Sequence, residues 1–104
     1  MTGFFQMQHF VYILHSKMLS RYYTGKTSLE PHERLKLHLT SYYGKTKFTA
    51  KTDDWELVLS IRCISPSQAE RIEKHIKSMK SSTYIQNLIK YPEMRERITT
   101  KFME

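Results

Sequence analysis

Arg34 and His38 are four residues apart in a predicted helix, so their side chains lie on one face of it, beside the apolar stripe of Leu35 and Leu39. An arginine guanidinium is a planar fork that suits phosphate oxygens, and histidine is a base that works near neutral pH. The pair therefore suits chemistry on an anionic substrate. The alternatives are a surface charge for Arg34 and a structural hydrogen bond for His38.

Glu73 stands inside the apolar face of a later predicted helix, among Ala69, Ile72, Ile76 and Met79. A carboxylate on an inward face is unfavourable unless it is paired or binds a metal ion. Two interpretations stay open: Glu73 binds a divalent ion, or it forms an ion pair with Lys77, four residues further on.

Two tyrosine-bearing segments precede these helices. "FVYIL" begins at Phe10 and "YYTGKT" at Tyr22, and both are rich in aromatic and β-branched residues typical of strands. "SKMLS" between them predicts a turn, hence an antiparallel hairpin. Tyr12 and Tyr23 either form cross-strand packing or face a substrate, whereas Tyr22 points to the opposite face. Gly25 indicates a bulge or a close backbone approach.

The remaining elements follow from turn and cap signals. The first helix is predicted to begin near Pro31 with Ser28 as its cap, and "WELVLSIRCI" predicts a strand with Leu57, Leu59 and Ile61 on one face. "SPSQ" predicts a helix capped by Ser65, and "STYIQNLI" and the segment from Pro92 through Ile98 predict two more. The predicted fold class is α/β, with a small, three-stranded, mainly antiparallel sheet flanked by helices.

Length and composition bound the class of protein. A chain of 104 residues with 39% hydrophobic content predicts one globular domain, residues 1–104, with a core of about 9–90 and a C-terminal helical extension. The apolar run 10–14 is too short to span a bilayer, and no signal peptide is expected. Because Cys63 is the sole cysteine, no internal disulfide forms, and a cytoplasmic location is expected.

The positive charge is concentrated in the front half. Of the net +7, residues 1–52 carry +6, with eight Lys or Arg against two acids, and this balance suits a polyanion as well as an ordinary basic surface. A loop after the first helix interleaves aromatic rings with cations, as nucleic-acid surfaces do. The candidate nucleic-acid-binding residues are Lys26, Tyr42, Tyr43, Lys45, Lys47 and Lys77.

Taken in order, these motifs resemble the GIY-YIG nuclease superfamily, and more narrowly its small single-domain members similar to the nuclease domain of the bacterial excision-repair incision subunit. "FVYIL" stands for the first tripeptide and "YTG" at 23–25 for the second. "ERLKLH" supplies the family's Arg and the following His, and "AERIEKHIKSMKS" matches the helix that bears its metal-binding Glu. The match spans roughly residues 9–90.

The resemblance implies roles for these residues. Glu73 would hold one Mg²⁺ or Mn²⁺, and Arg34 would bind a non-bridging phosphate oxygen. Tyr12 would orient or deprotonate the attacking water, with His38 as the rival base because a free phenol has a pKa near 10. Tyr23 would hydrogen-bond within the site, and Gly25 would allow close backbone approach.

The chain departs from the family pattern at a few positions. Phe10 and Val11 replace the first Gly and Ile, Thr24 replaces the central Ile of the second motif, and the family's Asn is either Asn87 or absent, with Ser81 or Ser82 in that neighbourhood.

The predicted function is a metal-dependent DNA endonuclease in DNA repair or processing. It is expected to make single-strand cuts unless it dimerises, and to have low sequence specificity or depend on a partner. The expected partners are DNA and either a repair-complex protein or a second copy. The alternative is a non-catalytic nucleic-acid-binding module that retains the fold.

Overall fold

A computed structural model of the chain describes residues 8–40 and 48–103. Its strands are β1 (His9–Ser16), β2 (Arg21–Thr27) and β3 (Glu56–Cys63). Its α-helices are α1 (Pro31–Leu39), α2 (Pro66–Met79), α3 (Ser82–Lys90) and α4 (Pro92–Lys101), and a short 3-10 helix covers Phe48–Lys51. The order of strands and α-helices is the predicted one, and the α/β class is confirmed.

The three strands form one antiparallel sheet with β1 in the centre, in the order β2-β1-β3. β1 has helices on both of its faces, so the four residues 11–14 are all fully buried. This explains why its apolar run is continuous rather than alternating. β2 and β3 are therefore the two edge strands.

The two faces of the sheet have separate cores because side chains of β1 alternate between them. Val11 and Ile13 pack with residues of β3, α2, α3 and α4, including Ile72 of α2. Tyr12 and Leu14 point to the other face, which α1 covers. The division places the Tyr12 side chain on the α1 face and α2 on the opposite face.

A register shift in the pairing of β1 with β3 corrects one expectation. Ile13 pairs with Leu59 but Leu14 pairs with Leu57, so one residue of β3 is left over between the two pairs. Because such a bulge reverses the side-chain alternation beyond it, Leu57 packs with the Tyr12 face while Leu59 and Ile61 pack with the other. The prediction that these three residues share one face is wrong.

The helix caps confirm one prediction and correct another. Ser65 caps α2 as predicted, since its Oγ accepts a hydrogen bond from the Gln68 backbone N–H at 3.0 Å. α1 is capped by the carboxylate of Glu30, which accepts from the His32 N–H at 2.9 Å, and not by Ser28. Glu30 lies directly before Pro31, which occupies the first helical position, so the Glu30 carboxylate reaches the first turn more easily.

The end of α2 and the last helix also differ from expectation. Met79, predicted to lie on the inward stripe, is 43% exposed because α2 ends there and Lys80 takes a left-handed conformation, with φ of 48°. α4 runs beyond the predicted Ile98 to Lys101, and Phe102 packs against the core. Gln68 ties this helix down by donating from Nε2 to the Thr99 carbonyl at 2.9 Å.

The hairpin turn between β1 and β2 is held by Asp54, which precedes β3. Its carboxylate accepts hydrogen bonds from the Ser16 hydroxyl and from the Met18 N–H at 2.9 Å. These hydrogen bonds lower the pKa of Asp54 to about 2. No helix among residues 8–40 and 48–103 is long and apolar enough to cross a membrane.

Candidate active site

Tyr12, Arg34 and His38 form one hydrogen-bonded group between β1 and α1. The Tyr12 hydroxyl lies 2.7 Å from His38 Nε2, and Arg34 Nε donates to the same hydroxyl oxygen at 3.2 Å. The four-residue spacing in α1 brings Arg34 and His38 to the same face of the helix, as the sequence predicts. Tyr12 is fully buried and His38 is 3% exposed, while Arg34 is half-buried at the rim.

The imidazole of His38 is held in its neutral form within this group. Burial, followed by the charge of Arg34, lowers the pKa of His38 to about 4, so the imidazole is neutral at neutral pH. Because Arg34 can only donate, the Tyr12 oxygen accepts from it. The Tyr12 hydroxyl donates to His38 Nε2 in the tautomer that carries its proton on Nδ1 and accepts from Nε2 in the other tautomer. This arrangement satisfies both polar groups that Tyr12 meets.

Gly25 makes room for the Tyr12 ring. The two residues are cross-strand partners in β1 and β2. A Cβ atom at position 25 would lie 2.5 Å from the Tyr12 hydroxyl oxygen and 2.6 Å from Cζ, which is far inside van der Waals contact. Glycine therefore permits close approach, but the approaching group is the tyrosine ring rather than the backbone that the motif suggested.

Tyr23 extends the group toward solvent. It is half-buried, and its ring centroid lies 5.1 Å from that of His38 and 6.3 Å from that of Tyr12. Tyr22 points to the other face, where it stacks against His15 with centroids 4.6 Å apart. The predicted separation of the two adjacent tyrosines is confirmed.

Glu73 lies on α2, which packs on the other face of the sheet and along β2. Its side chain is only 14% exposed, and its carboxylate forms an ion pair with Lys77 Nζ at 3.1 Å. The pair is one of the two alternatives that the sequence left open. Ion pairs with an exposed lysine contribute little stability, about 0–1 kcal/mol, so the pair is compatible with the other alternative.

Two clefts show how α2 meets the edge of the sheet. One, of about 340 Å³, is lined by Lys26 at the end of β2, by Arg34 of α1 and by Ala69 of α2. The other, of about 520 Å³, is lined by Tyr23 and by Lys77 of α2. α2 thus runs antiparallel to β2, and Glu73, one turn from both Ala69 and Lys77, lies between the two clefts.

The donor set fits a single hard cation shared with a substrate. No cluster of three or more His, Cys, Asp or Glu residues suited to a metal ion occurs in the part of the chain that the structure describes. Mg²⁺ typically keeps several waters and is bound by one or two carboxylates together with phosphate oxygens. Glu73, a mostly covered carboxylate beside the cleft that contains Lys77, matches that requirement.

Other candidate residues are placed less centrally. Tyr42, Tyr43, Lys45 and Lys47 lie outside the described residues. Asn87 is half-buried on α3, and Ser81 caps that helix by accepting from the Tyr84 N–H at 3.0 Å. The sequence did not single out Arg21, which lines the larger cleft with Lys80. A cation at the first residue of an edge strand is common in proteins, so the sequence around Arg21 did not indicate a binding role.

Comparison with known proteins agrees with this architecture. The family model described as "GIY-YIG catalytic domain" matches residues 8–86, which is 79 of the 104 residues. This domain is a nuclease domain, and its members generally depend on a divalent metal ion. None of the curated proteins or solved structures compared with the chain is significantly similar to it. Because the match covers most of the chain and the fold agrees with it, the chain belongs to the GIY-YIG catalytic domain family.

Proposed function

We propose that the protein is a divalent-metal-dependent endonuclease that hydrolyses phosphodiester bonds of DNA at the exposed edge of β2. The observation that supports this most strongly is the Tyr12–Arg34 hydrogen bond of 3.2 Å, which holds a half-buried guanidinium at the rim of a cleft that Lys26 also lines. A fixed guanidinium beside a second cation is suited to a phosphate group. Glu73 lies on α2, one helical turn after Ala69, which lines the same cleft.

Arg34 binds the scissile phosphate in this proposal. Its planar fork places two N–H groups on two oxygens, and the preorganised positive charge stabilises the charge that develops on the phosphoryl group. Lys26 adds a second positive charge in the same cleft. Tyr12 fixes Arg34 through its hydroxyl, so its contribution is positional.

Tyr12 and His38 do not act on water directly in this account. Both side chains are buried and are hydrogen-bonded to each other. The more exposed Tyr23, packed edge-on against His38, is the phenol that can contact the attacking water or the phosphate. We therefore assign the orientation of the water to Tyr23 and the support of Arg34 to Tyr12 and His38.

Glu73 would hold the metal ion, Mg²⁺ or Mn²⁺. When bound, the ion supplies positive charge that polarises the phosphate and stabilises the leaving 3′-oxygen. Lys77, which is paired with Glu73 at 3.1 Å, would then be able to contact the neighbouring DNA backbone. We propose DNA repair or processing in the cytoplasm as the setting, with a repair protein or a second copy as partner, on the basis of the family resemblance and the single, buried Cys63.

The alternative function is a nucleic-acid-binding module without catalysis. The Glu73–Lys77 ion pair favours it, because a carboxylate that already has a cationic partner needs no metal ion. The two functions predict the same DNA binding and differ only in cleavage.

Incubation of the purified chain with supercoiled, branched, nicked and single-stranded DNA tests the proposal. We expect nicking with Mg²⁺ or Mn²⁺ and none with EDTA. Arg34→Lys, which keeps the charge but removes the fork, should slow cleavage at least ten-fold, while Arg62→Lys on the opposite edge strand β3 serves as the matched control. Binding of every substrate without cleavage in either metal would favour the alternative module.

A further inference from the structure

The larger cleft, of about 520 Å³, lies beside the proposed active site and has its own charge. It is formed where the start of β2 meets the junction of α2 and α3. Three cations line it, Arg21, Lys77 and Lys80, and no carboxylate stands among its described lining residues. Its volume is within the range of about 300–1,000 Å³ that is usual for ligand sites.

The charges of this cleft are largely uncompensated. Within residues 8–40 and 48–103, Lys77 pairs with Glu73, whereas Arg21 and Lys80 have no carboxylate within ion-pair distance. Like charges held close together repel one another, so the cleft is a favourable place for an anion. Serine hydroxyls at the beginning of α3 and the face of Tyr22 complete the lining.

The cleft is continuous with the site through two shared residues. Tyr23 lines the cleft and also packs against His38, which is hydrogen-bonded to Tyr12. Lys77 lines the cleft and also forms an ion pair with Glu73, the proposed metal ligand. A polymer bound at the proposed active site would therefore reach this cleft by passing Tyr23 and Lys77.

We propose that this cleft, through Arg21 and Lys80, binds backbone phosphates of the same DNA strand next to the phosphate that is cut. The inference rests on the proposed function for the position of the cut, but the binding itself does not require cleavage. Contacts to phosphate are independent of sequence, so the cleft gives affinity and orientation without base preference.

Salt-dependent binding in EDTA tests the inference separately from catalysis. Fluorescence anisotropy with a labelled DNA duplex is compared for wild type and Arg21→Gln/Lys80→Gln. Loss of two phosphate contacts should reduce the slope of log K against log salt by about 1.8, so that between 50 and 200 mM salt the variant loses about 12-fold less affinity than wild type does. Lys80 has a left-handed backbone conformation, and glutamine is no more strained there than lysine, so the substitution should not disturb the end of α2.

The matched control is Lys90→Gln/Arg97→Gln, which removes the same two charge types from the exposed surfaces of α3 and α4. It should leave the slope unchanged within about 0.5. Equal slopes for the two double variants, or no binding of DNA by wild type, would overturn the inference. A loss confined to an RNA duplex would overturn the assignment to DNA. Normal binding with no cleavage in Mg²⁺ or Mn²⁺ would support the cleft and contradict the nuclease proposal.

Discussion

The Tyr12 hydroxyl and His38 Nε2 are 2.7 Å apart in the interior, where neither side chain is accessible enough to meet bulk water. The same hydroxyl accepts from Arg34, so one buried phenol connects the core to a cation at the surface. A buried polar group that is fully satisfied holds its neighbours in one arrangement. This connection positions the phosphate-binding arginine in our account.

The low pKa of His38, about 4, predicts how stability depends on pH. The unfolded chain binds a proton at this residue below about pH 6.5, but the folded chain does not until about pH 4, so the folded state loses stability as pH falls through this window. Above pH 6.5 the contribution is complete. The expected slope reaches at most about 1.4 kcal/mol per pH unit.

Urea unfolding at pH 4 to 8 checks this prediction. His38→Gln should remove most of the slope between pH 4 and 6.5. Part of the slope should persist because burial and the charge of Lys101 also lower the pKa of His75, and His75→Gln accounts for that part. A slope that His38→Gln leaves unaltered would show that folding does not lower the pKa of His38.

Gly25→Ala tests the close approach of the Tyr12 ring. The added methyl would lie 2.5 Å from the hydroxyl oxygen and 2.9 Å from Cε1, so the Tyr12 ring must shift from the position that it takes beside Gly25. We expect a loss of about 1–3 kcal/mol in the free energy of unfolding, together with slower cleavage. Lys26→Ala, at the exposed neighbouring position, is the control for stability and should change it by less than about 0.5 kcal/mol.

Phe at position 12 refines the Gly25 test. Because Cζ would still lie 2.6 Å from the new methyl, Tyr12→Phe should not restore the stability of Gly25→Ala. Full restoration by Tyr12→Phe would mean that only the hydroxyl matters, contrary to the ring geometry.

Lys77→Gln should strengthen metal binding at Glu73. The ammonium group, 3.1 Å from the carboxylate, competes with a divalent ion for the same oxygens. Calorimetric titration with Mn²⁺ without DNA should give a dissociation constant several-fold lower than that of wild type. Lys74→Gln is the matched control, since Lys74 pairs with Glu70 at 3.4 Å in the same helix. If the two variants change the dissociation constant for Mn²⁺ equally, Glu73 is not the metal ligand.

Local signals in the sequence were enough to predict the order of strands and α-helices. Ser65 followed by Pro66 defines the start of α2, and the four-residue spacing places Arg34 beside His38. The bulge opposite Ile13 could not be predicted, because it depends on pairing between strands more than forty residues apart. Ser28 and Glu30 are both able to cap, so local chemistry did not choose between them.

The burial of Tyr12 was also beyond the sequence. The accessibility of a tyrosine in a central strand to water depends on tertiary packing. Here α1 and Gly25 determine it. We therefore propose a positional role for Tyr12 in place of the action on water that the family resemblance implies. The same holds for Glu73, whose approach to the edge of β2 follows from the antiparallel course of α2.

The most direct measurement is the rate of nicking of supercoiled DNA as a function of Mn²⁺ concentration for wild type, Glu73→Gln and Glu70→Gln. Glu70 lies on the same helix and pairs with Lys74, so its variant controls for the loss of one carboxylate. Our account predicts metal-dependent nicking by wild type and Glu70→Gln, and a rate at least 100-fold lower for Glu73→Gln at every concentration. Equal rates for the two variants, or nicking by wild type in EDTA, would contradict it.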